Sequence, residues 1–417
     1  MRSQPGVACC SNTDNVLKTF LRLYIDSYRG LSRPAWLLAL VMLVNRTGAM
    51  VLPFLGLYMT QALGFSIREV GIVLACFGLG AITGSWLGGW LTDRFGNFWV
   101  QALSLLAAIP LFLVLPVFTS VHTLAAGIYI LSVVTESFRP ANSVSVARYA
   151  RPENITRAFS LNRMAINLGF SVGPALGGFL ASISYHWIFY GNALGALAAA
   201  VIFVLFFYQR KGARRAKTTS HSDTTETAAN RSPYRDWPFL LFSLLCCGYA
   251  ICFFQLLNTL PLFYQKAHAL DEQQVGLILG FSGLVVVVFE MLLVHMAERR
   301  FTYATSIAVG TVLSAVSFAI LPLPGGYWML YASIFLLSIS EILAMPFMAS
   351  VAVKRASRQN QGAYMGLNAL AFSAAHVFSP FLGTRIADAY GFSILWSGTA
   401  VVLVGIAAGF YLLVKKM

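Results

Sequence analysis

Arg46, Glu136, Arg139, Glu290 and Glu341 stand inside long apolar stretches. An ionised side chain at the centre of a bilayer costs roughly 2.5–3.5 kcal/mol, so each of these residues calls for a partner or a task. Glu136 and Arg139 are three positions apart, hence neighbours on one helix face, and can pair with each other. Such a pair serves packing or substrate contact equally well. Arg46 has no acid near it in sequence, so its partner comes from another helix or from a bound anion. Glu341 stands mid-helix ahead of Pro346, and a buried carboxylate without a fixed cation is a place to carry a proton. Glu290 and His376 are secondary candidates for the same task. Asn45, Gln255 and Asn258 are neutral, yet burying them without hydrogen-bond partners is also unfavourable. The chemistry these residue types support is the binding of a small polar or charged solute and the movement of protons. No enzyme constellation accompanies them: there is no phosphate-binding glycine loop with lysine, no HExxH, and no nucleophile–base arrangement. No cofactor and no metal are expected.

The elements that hold these side chains are membrane-spanning helices. Of 417 residues, 58% are hydrophobic and 11% charged, with mean hydropathy +0.72, far from soluble composition. Apolar windows of about 20 residues, enough to cross about 30 Å of hydrocarbon, recur along the chain. Twelve are predicted, at 35–60, 67–91, 98–118, 123–145, 159–183, 187–208, 238–264, 273–296, 303–323, 327–352, 362–388 and 392–414. Pro53 is expected to bend the first. The alternation of a membrane β-barrel is absent.

The net charge of +14 could point to nucleic acid, but its placement argues otherwise. With the N-terminus inside, 23 of the 29 Lys and Arg fall on that side and two, Arg68 and Lys266, on the other. That asymmetry predicts both termini in the cytoplasm. Residues 1–33 lack a continuous apolar core, so no cleavable signal peptide is expected. Asn15 to Tyr28 could lie on the inner leaflet as a short amphipathic helix. Cys76, Cys246, Cys247 and Cys252 read as packing residues, with Cys9 and Cys10 as candidates for lipidation.

Gly80, Gly84 and Gly88 share one helix face, along which another backbone can approach closely. Gly173, Pro174, Gly177 and Gly178 repeat the theme, with Pro174 a source of a kink. The chain also repeats itself. Gly71, Gly78, Asp93 and Arg94 match Gly276, Gly283, Glu298 and Arg299 at an offset of 205. Pro140, Asn162, Pro174 and Gly177 match Pro346, Asn368, Pro380 and Gly383 at 206. A duplicated six-helix unit follows, with a site expected at the midplane between the copies.

Gly89-Trp90-Leu91-Thr92-Asp93-Arg94-Phe95-Gly96 resembles the G-x-L-x-D-R-x-G loop of the major facilitator superfamily of secondary transporters. Asn97 and Phe98 stand where the family pattern continues with basic residues. The Gly173-Pro174…Gly177-Gly178 run resembles the fifth-helix signature of antiporters in that superfamily. With the spans and the repeat, the resemblance covers essentially the whole chain and is similar to the bacterial drug/proton antiporter branch. It implies an all-α integral membrane fold of twelve transmembrane helices in two pseudo-symmetric bundles. The parts are a cytoplasmic segment at 1–33, bundles at 34–208 and 238–414, a linker at 209–237 and a tail at 415–417.

In that fold helices one, four, seven and ten line the cavity. Arg46, Asn45, Glu136, Arg139, Gln255, Asn258 and Glu341 then form the substrate and proton site. Gly89, Asp93, Arg94, Gly96, Glu298 and Arg299 form the gate, where Asp93 can accept hydrogen bonds from a neighbouring helix N-terminus and pair with a basic residue. The implied function is alternating-access export of a small organic solute in exchange for protons, by a monomer in the bacterial inner membrane without a nucleic-acid partner. Asn45-Arg46-Thr47-Gly48 with Leu52-Pro53 also resembles helix one of proton-coupled peptide transporters. The acids of that family's E-x-x-E-R motif are missing at Met42 and Asn45, which leaves peptide uptake as the alternative. A non-transporting receptor would lack a large extramembrane domain.

Overall fold

The computed structural model describes residues 24–209, 232–270, 272–357 and 359–417. Cys9, Cys10, most of the amphipathic segment at Asn15 to Tyr28 and most of the linker lie outside them, as does the side chain of Pro174. Among the described residues there is no strand. The first half comprises α1 (Arg33–Thr47), α2 (Val51–Leu57), α3 (Ile67–Phe95), α4 (Asn97–Val114), α5 (Val121–Tyr149), α6 (Ile155–Ile183) and α7 (His186–Phe207). The second comprises α8 (Trp237–Phe253), α9 (Thr259–His268), α10 (Glu272–Arg300), α11 (Tyr303–Ala319), α12 (Tyr327–Arg355), α13 (Gln361–Tyr390) and α14 (Phe392–Lys416). Ten helical segments are long and apolar enough to cross a bilayer. The broken pair α1–α2 and the shorter α11 complete twelve passes.

Local chemistry sets the helix ends. Ser66 caps α3 in a reciprocal box with Glu69, and Ser32, Ser120 and Thr302 accept the first-turn N–H groups of α1, α5 and α11. Basic residues occupy the last turns of α3, α5, α10, α12 and α14, where they complement the negative helix ends. These ends lie on the face that carries the chain's Arg-rich loops, called here the basic face.

The duplication is visible in the element boundaries. α3 and α10 are both 29 residues long, as are α5 and α12, and their starts are spaced like the sequence matches. α3 packs on α5 within the first half, and α10 packs on α12 within the second. Small residues make the first of these contacts close. A Cβ at Gly84 would lie 2.5 Å from the Val133 carbonyl oxygen, and one at Gly88 2.6 Å from the Ser137 oxygen. The halves meet through α3 against α13 and α6 against α10.

Three passes differ from their predicted form. The first breaks ahead of Pro53, between Thr47 and Val51, where Gly48 packs against Gly195 of α7. The Asn192 side-chain oxygen accepts from the freed N–H groups of Met50 (2.9 Å) and Val51 (3.1 Å), which makes the break affordable in a low-dielectric setting. The seventh pass is interrupted by a 3-10 turn at Phe254–Leu256. The ninth ends at Ala319, short of the predicted 323.

On the basic face, the buried Asp236 carboxylate accepts from Arg355 at 2.8 and 3.0 Å and from the Tyr364 hydroxyl at 2.8 Å. These bonds tie the start of α8 to α12 and α13. The Arg355 guanidinium holds the Asp236 carboxyl below the usual carboxylate range. A depressed folded-state pKa contributes stability above the unfolded value and loses it as pH falls through the folded value. Asp236→Asn is therefore expected to cost about 2 kcal/mol at neutral pH. The gap from the wild type should close as pH falls below 4, which paired thermal-unfolding curves against pH will show.

Candidate transport site

The predicted site residues separate into three groups. The first lies in the first half. Arg46, near the end of α1, and Glu136, in the middle of α5, both stand about 20 Å from the basic face by helix rise. Arg139 donates to Glu136 at 2.9 Å, so this pair neutralises itself. Arg46 is not part of that pair: its Nε is buried without a hydrogen-bond partner, and its guanidinium lies over the Phe170 ring at 5.4 Å. Glu136 and His376 of α13 are nonetheless within electrostatic reach of both arginines. Asn45 and Arg46 line a cavity of about 140 Å³ inside the first half.

The glycine run of α6 is the bed of this group. A Cβ at Gly169 would lie 2.5 Å from the Arg46 Cβ, and one at Gly173 3.0 Å from the Arg46 carbonyl oxygen. Gly177 and Gly178 face Phe54, so the run supports the first pass on both sides of its break.

The second group bridges the halves. Arg163, on α6, contacts Glu290 of α10 (2.8 Å) and Glu341 of α12 (2.5 Å). Ser160 adds a hydrogen bond to Glu290 at 3.0 Å. Glu290 is fully buried, Glu341 nearly so, and the Tyr249 hydroxyl and Tyr28 lie within their electrostatic reach. Glu341 therefore has a fixed cation, contrary to the expectation that it had none. Arg163 escaped the sequence reading, although it is a cation inside a predicted span just as Arg46 is, and that signal was sufficient to find it.

The third group bonds mainly to nearby backbone carbonyls, although the Gln255 Oε1 is buried without a donor. Gln255 donates to the Ser379 carbonyl at 3.2 Å, and Asn258 to the Phe254 carbonyl at 2.9 Å, so both stitch the interruption of the seventh pass. His376 bonds its own helix through the Phe372 carbonyl and stacks beside Phe254.

Between these groups and the basic face lie two latches related by the duplication. Asp93 accepts from the backbone N–H groups of Gly362 (2.6 Å) and Ala363 (2.7 Å) at the start of α13. Gly89 makes room, since it rests on the backbones of Gly362 and Gly366. In the second copy Glu298 accepts from the Thr156 side chain and the Arg157 backbone at the start of α6, and pairs with Arg157 Nε at 3.0 Å. Gly96 ends α3 at φ +88°, a backbone that favours glycine. Arg94 stands aside with its guanidinium over Trp90, and Arg299 belongs to no ion pair among the described residues. Asp93 also has no basic partner there, so its latch is made by helix N–H groups. Asn97, where the family pattern is basic, is buried and joins Ser145 (2.6 Å) and Arg148 (2.9 Å), tying α4 to α5.

Twelve apolar passes in duplicate, charged side chains buried between the copies and matched latches at one face define a membrane transporter, not an enzyme. The sequence model of the Major Facilitator Superfamily matches residues 35–301 and 259–416, and the chain belongs to that superfamily. It is 25% identical over 374 residues to the MFS-type transporter YttB of Bacillus subtilis (strain 168), covering 88% of this chain and 91% of that one. It is 26% identical over 339 residues to the class B tetracycline resistance protein of Escherichia coli, covering 79% and 81%. Among solved structures, the human organic anion transporter MFSD10 has the same fold, with TM-score 0.71 at 15% identity over 91% of this chain and 99% of that one.

Proposed function

We propose that the protein exports a small organic solute in exchange for protons, by rocking its two halves, residues 34–208 and 238–414, about a midplane site. The basic face is then the cytoplasmic face of a bacterial inner membrane, and the monomer is the working unit. The observation that carries this reading is Arg163 held by Glu290 and Glu341 across the halves. Two carboxylates share one guanidinium. With both ionised the buried trio carries a net negative charge, and one proton balances it. A proton on either carboxylate also weakens its bond to Arg163, one of the ties that keep the basic face shut, so proton binding and opening are linked. Solute and proton then act on the same equilibrium reciprocally. Tetracycline resistance in a relative supports an organic solute as the cargo.

The test uses purified protein in liposomes under an imposed pH gradient, with proton flux followed while tetracycline, a cationic dye or a dipeptide is added. Proton movement opposite to the drug, abolished by Glu290→Gln or Glu341→Gln, is the expected result. A dipeptide and protons moving together would replace export by uptake. Proton flux with no solute at all would remove the coupling.

A further inference from the structure

The cavity beside Arg46 is built unlike the rest of the buried charge. The other arginines and carboxylates inside the passes named above are paired: Glu136 with Arg139, and Glu290 and Glu341 with Arg163. Arg46 differs from them, since it has no ion-pair partner among the described residues and its Nε has no acceptor. It sits near the negative end of α1 and on the Phe170 face, two weak interactions that make a lone cation tolerable without neutralising it. With Glu136 already bonded to Arg139, the group keeps a formal charge of one positive unit at the cavity wall.

Asn45, Ser104, Thr135, Asn192 and the Arg139-paired Glu136 also reach the lining, and the rest of it is apolar. Phe77, Leu105, Phe112, Ile128, Leu131 and Phe138 line it. Its volume of about 140 Å³ is close to that of dry cavities, about 150 Å³, that accept a benzene ring. A guanidinium at the rim of a ring-sized apolar space is complementary to a planar body with a carboxylate on one edge. The fork of an arginine meets that carboxylate through paired N–H donors. We infer that this cavity is a subsite for the ring of a small aromatic carboxylic acid, with Arg46 binding the carboxylate. The inference rests on the export reading above and specifies the cargo class.

Calorimetric titration of the purified protein tests it without turnover or a pH gradient. Three probes share one ring: benzoate, benzamide and benzylammonium. Benzoate should bind at least tenfold more tightly than the other two, a difference of about 1.4 kcal/mol. Arg46→Gln should erase that preference, while Arg46→Lys, which keeps the charge and loses the fork, should retain part of it. Ala196→Leu, which narrows the cavity but leaves Arg46 intact, should weaken all three probes together. Equal binding of benzoate and benzamide, or a benzoate preference that survives Arg46→Gln, would overturn the assignment. So would a preference for benzylammonium. Failure here with drug–proton exchange intact in liposomes removes this subsite alone. Benzoate selectivity without proton movement removes the coupling and leaves the subsite standing.

Discussion

Replacing Arg163 by glutamine is expected to destabilise the protein by about 3–5 kcal/mol, the largest loss at any single position considered. The reason lies in what remains rather than in what is removed. Glu290 has no exposed surface and Glu341 almost none, and both lose their cation at once. Two carboxylates are then left without their cation in a low-dielectric setting. Thermal unfolding in detergent at neutral pH measures the loss. The triple variant Arg163→Gln, Glu290→Gln, Glu341→Gln removes all three charges and should recover most of the stability. It should nevertheless move no protons in liposomes. A single variant as stable as the wild type would show that the two carboxylates are not held ionised by Arg163.

The second large effect is a contrast between two glycines of α3. Gly89→Val should open the basic face, whereas Gly84→Val should damage the first half. A Cβ at Gly89 would lie 2.7 Å from the Gly362 carbonyl oxygen and 2.9 Å from the Gly366 Cα, backbone atoms of the other half. The relief available is separation of the halves, at the expense of the Asp93 bonds to Gly362 and Ala363. At Gly84 the obstruction is the Val133 backbone of α5, in the same half, and no rocking motion relieves it. The readout is a cysteine placed at Ser373, which contacts Ser85 across the halves at 3.1 Å, in a background freed of native cysteines. Gly89→Val should raise its labelling by an impermeant maleimide about fivefold or more, a shift of about 1 kcal/mol in the opening equilibrium. Gly84→Val should lower stability without that gain. Labelling raised by Gly84→Val and not by Gly89→Val would reverse the assignment of the two faces.

The passes were legible in the sequence because each must present about 20 apolar residues to lipid, and the repeat was legible because Asp93 and Glu298, Pro140 and Pro346 recur in register. The latch at Asp93 could be anticipated for the same reason. The partner of Glu341 could not. Arg163 is 178 positions away in the chain, and which face of α6 meets α12 depends on helix rotation. In a soluble helix the polar stripe reveals that rotation, but lipid and bundle core are both apolar, so the stripe is missing. The break at Gly48 was hidden for a related reason. Pro53 is the conspicuous local breaker, yet the chain breaks where Asn192, from another pass, can take up the freed N–H groups. Gln255 and Asn258, read as cavity polars, also hold backbone carbonyls near a second interruption.

The short ninth pass gives the second half an uneven outline. At 17 residues α11 spans about 25 Å, less than the hydrocarbon it has to cross. It packs on α12 and α14, and Val309, Val312 and Val316 remain exposed along its outer side as a stripe that faces acyl chains. Tyr327 and Trp328, at the start of α12, are exposed where aromatic side chains favour the headgroup level. The bilayer has to thin by a few ångströms beside this helix while meeting the full-length passes elsewhere. The protein is therefore matched to its membrane unequally around its circumference.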